Sequence, residues 1–175
     1  MTTPTAPAER PAYLAFLPVF LFRPQGSKAA YVLKAWPVAL IPSILLSATI
    51  NMSVPSAKGP DLPLSGPLMV ALVTIIGPFL ETLIMAAVLL ALRRFVGFGP
   101  AVVLSSVGWG VAHSSAAAIW GLVIWWPFLI FSIAFLTWRQ RGFWSGILIV
   151  SAIHALQNSF AVALLLVGPR VTGIH

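Results

Sequence analysis

The chain contains no cysteine. Disulfides, thiolate nucleophiles and thiolate metal sites are therefore excluded. Charge is almost as scarce. Only 7% of the 175 residues are Asp, Glu, Lys or Arg, where a soluble domain carries about 25%. Acids are the scarcest: three stand against ten Lys and Arg, and only Glu81 follows Asp61. No H-E-x-x-H helix or internal repeat is visible, and no A-x-A-like cleavage site follows the apolar run from Tyr13 to Phe22.

What remains is apolar. Hydrophobic residues make up 59% of the chain, with a mean hydropathy of +1.00. This composition predicts an all-α integral membrane protein, a compact bundle of about five transmembrane helices with an N-terminal interfacial segment. The net charge of +7 does not point to nucleic acid, because the basic residues sit at the ends of apolar runs, as the positive-inside rule has them.

Residues 1–28 are expected to form a tail and an interfacial or partly re-entrant segment. Tyr13 to Phe22 is apolar but too short to span and is interrupted by Pro18. Residues 29–170 are expected to form the bundle, with spans near 29–50, 67–92, 101–117, 120–138 and 142–167. Pro37 and Pro42 should bend the first span, which is tolerated where neighbours satisfy the freed backbone groups. The uncharged run from Ala101 to Trp138 is too long for one crossing. A helical hairpin turn is placed near Ala117 to Leu122. Lys28/Lys34, Arg93/Arg94 and Arg139/Arg141 then fall on one side, which makes the N-terminus cytoplasmic and the protein a multi-pass resident of the cell's inner (plasma) membrane.

One residue breaks the apolar pattern of the second span. Glu81 is its only charge, and an acid at membrane depth is a functional-site hypothesis by default. His113 and His154 are the sole ionisable residues of two later spans. Counted from the basic ends of their helices, all three lie at about 18–20 Å depth. Converging on one polar pocket would lower the cost of burying each. Asn158 and Ser151 share a helix face with His154, and Trp109 shares one with His113. Pro78 should loosen the helix just before Glu81. Gly108, Ala112 and Ala116 form a small-residue stripe that would let a helix approach closely. Each residue also has a structural reading. Glu81 could be a protonated packing residue, either histidine a satisfied structural one, and Asn158 helix–helix glue. Trp109, the stripe, Gln157 and Ser159 read as packing.

Glu81 near a proline, then Trp109-x-x-x-His113, then His154-x-x-x-Asn158, resembles the CPBP (CAAX protease and bacteriocin-processing, or Abi) family of intramembrane proteases. That family's pattern is Glu-Glu-x-x-x-Arg, then Phe-x-x-x-His, then His-x-x-x-Asn or Asp. The resemblance covers about Pro67 to Leu166. It implies a glutamate-dependent endopeptidase with Glu81 as the general base, His113 holding or polarising the water, and His154 and Asn158 donating to the oxyanion. Thr82 stands where the family has its second Glu, Ala86 where it has Arg, and Trp109 where it has Phe. Thr82, Trp109 and Ser151 would line the substrate or support the site.

Peptide hydrolysis inside a membrane needs a base, a trapped water and preorganised donors. The favoured version needs no cofactor. A zinc version would use Glu81, His113 and His154 as ligands. The expected partners are the lipid bilayer, a peptide or membrane-protein substrate, and in the alternative a larger membrane complex, but no nucleic acid. That alternative is a divergent, non-catalytic membrane subunit or scaffold. A small transporter or proton relay ranks last, for want of a repeat.

Overall fold

A computed structural model describes residues 10–56, 59 and 66–167. The tail up to residue 9, Lys58, and the Gly168–Pro169 stop with Arg170 lie outside the described residues. Among the described residues the chain is helical throughout, with no strand. Five helices carry the fold: α1 (Lys28–Ser53), α2 (Gly66–Leu92), α3 (Phe98–Ser114), α4 (Trp120–Trp138) and α5 (Phe143–Val167). Four stretches are long and apolar enough to cross a membrane, Lys28–Ser53, Gly66–Leu92, Trp120–Arg141 and Phe143–Leu166. The protein is a multi-pass helical membrane protein.

The helix α3 departs from expectation. It starts and ends three residues earlier than the expected 101–117, and the hairpin turn occupies residues 115–119. Pro100 sits in its first turn, where a missing N–H costs nothing. At the other end the Ser115 hydroxyl donates to the Ala112 carbonyl at 2.6 Å, diverting an acceptor at the end of the ladder. With 17 residues, α3 is only about 25 Å long, shorter than a hydrocarbon core of about 30 Å.

Helix α4 is the central element. Every residue from Pro127 to Trp138 is buried. A helix that is apolar all round is suited to that position. The neighbours each turn one stripe towards the core: Tyr31, Ala35 and Ala39 of α1, Thr82, Met85, Ala86 and Leu89 of α2, and Ile147, Val150 and Ile153 of α5. Their other faces expose Leu33, Ile84, Val88, Leu148 and Leu165, as a lipid-facing surface does. One polar node lies in this core, where the Ser132 hydroxyl is 3.1 Å from that of Ser105 and 3.6 Å from Met85 Sδ.

The close approach in the α3–α4 hairpin is made by Gly110 and Gly121, not by the expected stripe. A Cβ on Gly121 would overlap the Gly110 carbonyl oxygen and the Ser114 hydroxyl. Gly108, Ala112 and Ala116 are exposed on the opposite side. Their spacing suited packing, but the face carrying Gly110 also carries Ala101, Val102 and Ser106, which the core buries.

Helix α1 runs unbroken through Pro37 and Pro42. Pro42 has no N–H to give the Val38 carbonyl four residues back. The Trp126 indole N–H on α4 donates to that carbonyl at 2.9 Å instead. The N-terminal segment dips alongside. The space in front of Gly99 is filled by Pro11 and Tyr13. Phe16 reaches Trp126 with ring centres 6.3 Å apart, and Phe22 returns to Phe98 at 6.0 Å. Leu14, Leu17, Leu21 and Phe22 enter the core. Tyr31, early in α1, packs on Trp138 at the end of α4 at 5.2 Å. The connections at 93–97 and 139–142 are short. Lys28, Arg93, Arg94, Arg139 and Arg141 therefore share one end of the bundle.

Candidate functional site

The site begins with an irregularity in α2. Residues Leu72–Ile76 form a π-turn, and the Gly77 N–H reaches back five residues to the Leu72 carbonyl. Pro78 follows at the start of the regular helix. The Val73 carbonyl is thereby left without a donor of its own helix. In α-register its partner would be the Gly77 N–H, already given to Leu72. In π-register it would be the N–H of residue 78, which proline lacks. Asn158 of α5 supplies the donor: its Nδ2 gives a hydrogen bond to the Val73 carbonyl at 3.0 Å.

One turn after this break α2 presents Glu81, and one turn before Asn158 α5 presents His154. His154 Nε2 lies 3.7 Å from Glu81 Oε2. The Glu81 side chain is 33% exposed, whereas that of His154 is 6% exposed. The carboxylate thus opens onto space while the imidazole belongs to the wall behind it. Two aromatic rings fix that wall, with Phe131 centred 4.8 Å and Phe128 centred 5.4 Å from the His154 ring.

His113 also packs against Phe128, again with ring centres 5.4 Å apart. Its Nδ1 donates to the Trp109 carbonyl at 2.9 Å. A carbonyl only accepts, so in the neutral ring Nε2 carries the lone pair. His113 is not mid-helix as the depth count had it. It lies one residue before the end of α3, because the helix closes at Ser115. The hairpin tip, with Trp120 edge-on to His113 at 4.7 Å, brings it to the other two.

Glu81, His113, His154 and Asn158 all line one cavity of about 600 Å³ between α1, α2, α4 and α5. The rest of its lining is largely apolar, including Leu40, Ile44, Leu72 and Ile124. Such a space, with a few convergent polar groups, is the usual form of a ligand site.

The three supporting residues fall elsewhere. Trp109 stacks on Phe128 at 4.5 Å and holds that ring in place. Thr82 is buried and donates to the Pro78 carbonyl at 2.6 Å, so it serves α2 and not the cavity. Ser151 does not line the cavity, and its buried hydroxyl has no partner among the described residues. Two residues outside the expected set do belong. Phe128 packs against both imidazoles. Gln157 lines the cavity with a buried, unpaired Oε1. The signal for Gln157 was its place three residues after His154, on the same face.

A zinc ion would need three such ligands. Among the described residues no three His, Asp or Glu side chains gather in that way. One His113 nitrogen is committed to the Trp109 carbonyl.

Comparisons with protein-family models, with characterised proteins and with solved structures find no match to this chain.

Proposed function

We propose that this protein is an intramembrane glutamate-dependent endopeptidase, a divergent member of the CPBP family, in the cell's inner membrane with its N-terminus cytoplasmic. The observation that carries the reading is the Glu81–His154 pair at 3.7 Å, opening onto an apolar cavity within the bundle. The shared basic end of the helices supports the orientation.

In this reading Glu81 takes a proton from a water held in the cavity. The water oxygen attacks the scissile carbonyl and charge develops on the carbonyl oxygen. The C–N bond then breaks, and Glu81 returns its proton to the leaving amine. His154 holds the carboxylate and water in register. His113, lining the same cavity, offers its Nε2. Asn158 gives its Nδ2 hydrogen bond to the Val73 carbonyl, and its part in this reading is to hold α2 in place beside the pair. The substrate is a peptide or membrane-protein segment apolar enough to enter from the bilayer.

A second reading is a non-catalytic membrane subunit or scaffold that binds a partner complex or peptide. Two observations favour it. Thr82 and Ala86, where the family carries its second Glu and Arg, are 1% and 0% exposed in the core, and Asn158 already has a structural duty. The variant Glu81→Gln separates the readings. With the purified protein in proteoliposomes and a membrane-peptide library read by mass spectrometry, cleavage should vanish while helicity and melting temperature hold. Cleavage that survives the substitution would remove Glu81 as the base. Absence of cleavage by the wild type, with one partner co-purifying in fixed ratio, would establish the scaffold reading.

A further inference from the structure

Prolines within the helices leave the carbonyls of Leu33 (Pro37), Val38 (Pro42), Val73 (Pro78) and Val123 (Pro127) without a helical donor, and for two of them a side-chain N–H from a neighbouring helix replaces it. Trp126 serves Val38 beside Pro42. Asn158 serves Val73 beside Pro78. In hydrocarbon no water can take that role, so an orphaned carbonyl must find a protein donor or the helix must rearrange.

The second case sits at the site. Val73 lies in the π-turn, two turns before Glu81. Asn158 lies one turn after His154. The bond between them ties the irregular part of α2 to α5 next to the Glu81–His154 pair. The π-turn fixes which way the following helix faces, since its wider register rotates every residue after it relative to those before. Glu81 faces His154 only while that register holds.

We propose that Asn158 is a positioning residue. By replacing the N–H that Pro78 lacks, it locks the π-turn of α2 and so sets Glu81 opposite His154. The consequence for cleavage rests on the peptidase reading above; the lock itself does not.

The bond can be removed and then made unnecessary. Asn158→Ala deletes the donor. Pro78→Ala restores a backbone N–H that the Val73 carbonyl can accept. The chain has no native cysteine, so cysteines introduced at the exposed Leu68 and Leu165 take spin labels cleanly. The distance between them reports α2 against α5. In proteoliposomes the parent and Pro78→Ala should each give one narrow distribution. Asn158→Ala should broaden it, and the double variant should narrow it again. Cleavage should follow the same order, with a loss on the order of a hundredfold for Asn158→Ala, as for a small misplacement of a catalytic group, and recovery in the double variant.

An unchanged distribution in Asn158→Ala overturns the lock, and so does a double variant as broad as the single one. A double variant that regains the narrow distribution but not cleavage shows that Asn158 acts on the substrate, which overturns its assignment as a positioning residue. If no variant cleaves, wild type included, the peptidase reading falls while the distances still decide the lock.

Discussion

Glu81 Oε2 and His154 Nε2 face each other across the α2–α5 interface at 3.7 Å, and among the described residues neither Glu81 Oε2 nor His154 Nδ1 has a hydrogen-bond partner. Two buried polar groups that lean on each other and on little else are costly to keep. Glu81 offsets that cost by opening onto the cavity; His154, walled by Phe128 and Phe131, has no such outlet and leans on Glu81.

We predict that His154→Phe will destabilise the protein, although the ring would fit beside Phe128 and Phe131. The change leaves the carboxyl without its neighbour. A stranded polar group costs about 1–3 kcal/mol, and the lower end applies here because Glu81 reaches the cavity. Glu81→Gln should relieve part of the loss. A double-mutant cycle by unfolding in detergent should show coupling of about 1 kcal/mol. Additive effects would mean that the two side chains do not interact.

The hairpin gives a sharper structural test. Gly121→Leu should open the α3–α4 contact, because its Cβ would overlap the Gly110 carbonyl. Overpacking of this kind costs about 1–3 kcal/mol. It would also move His113, which hangs from the tip. Gly108→Ala should leave stability unchanged or slightly improved, since nothing stands within 4 Å of its added Cβ. Equal melting temperatures for the two variants would contradict the packing described.

Trp126→Phe tests the proline compensation away from the site. It keeps an aromatic ring against Phe16 but removes the N–H given to Val38. The expected loss is about 1–2 kcal/mol. Pro42→Ala in the same protein should recover most of it by restoring the helical donor. A Trp126→Phe variant as stable as the parent would show that the Val38 carbonyl needs no partner.

The sequence carried the bundle and the location of the site because both depend on rare residues. Glu81 and His154 stand out from runs with no other ionisable group, and the helix ends are marked by arginines. Where the residues are common, the same reasoning had less to work with. All spans are similarly apolar, so nothing in their composition distinguished α4 as the helix the others surround. The stripe at Gly108, Ala112 and Ala116 had the right spacing and the wrong face. Helix α3 ends at Ser114, earlier than its apolar run suggested, which moved His113 from mid-helix to the hairpin tip. The tie between Asn158 and Val73 was hidden for a different reason. Pro78 marked a weak point in α2, but which carbonyl it orphans depends on the π-turn register, and that is a property of the folded helix.

The departures at Thr82 and Ala86 yield the last prediction. Introducing the residues that the CPBP pattern has at these two positions, Thr82→Glu and Ala86→Arg, would place two charges four residues apart on one helix face, able to pair. In this protein that face is occupied. Ala86 is 0% and Thr82 1% exposed, beside Met85 and the Ser132–Ser105 node of the central helix. A Glu and an Arg there would need both volume and desolvation, and even a well-paired buried ion pair often fails to repay its desolvation. The double variant should therefore lose several kcal/mol of stability and express poorly in membranes. The single Thr82→Val tests the other half of the argument. It keeps the volume and removes only a hydroxyl that bonds its own helix at 2.6 Å, so any cleavage should be nearly unchanged. A double variant that folds as well as the parent and cleaves faster would mean that the core has room for the family's ion pair, and that its absence weakens an otherwise ordinary active site.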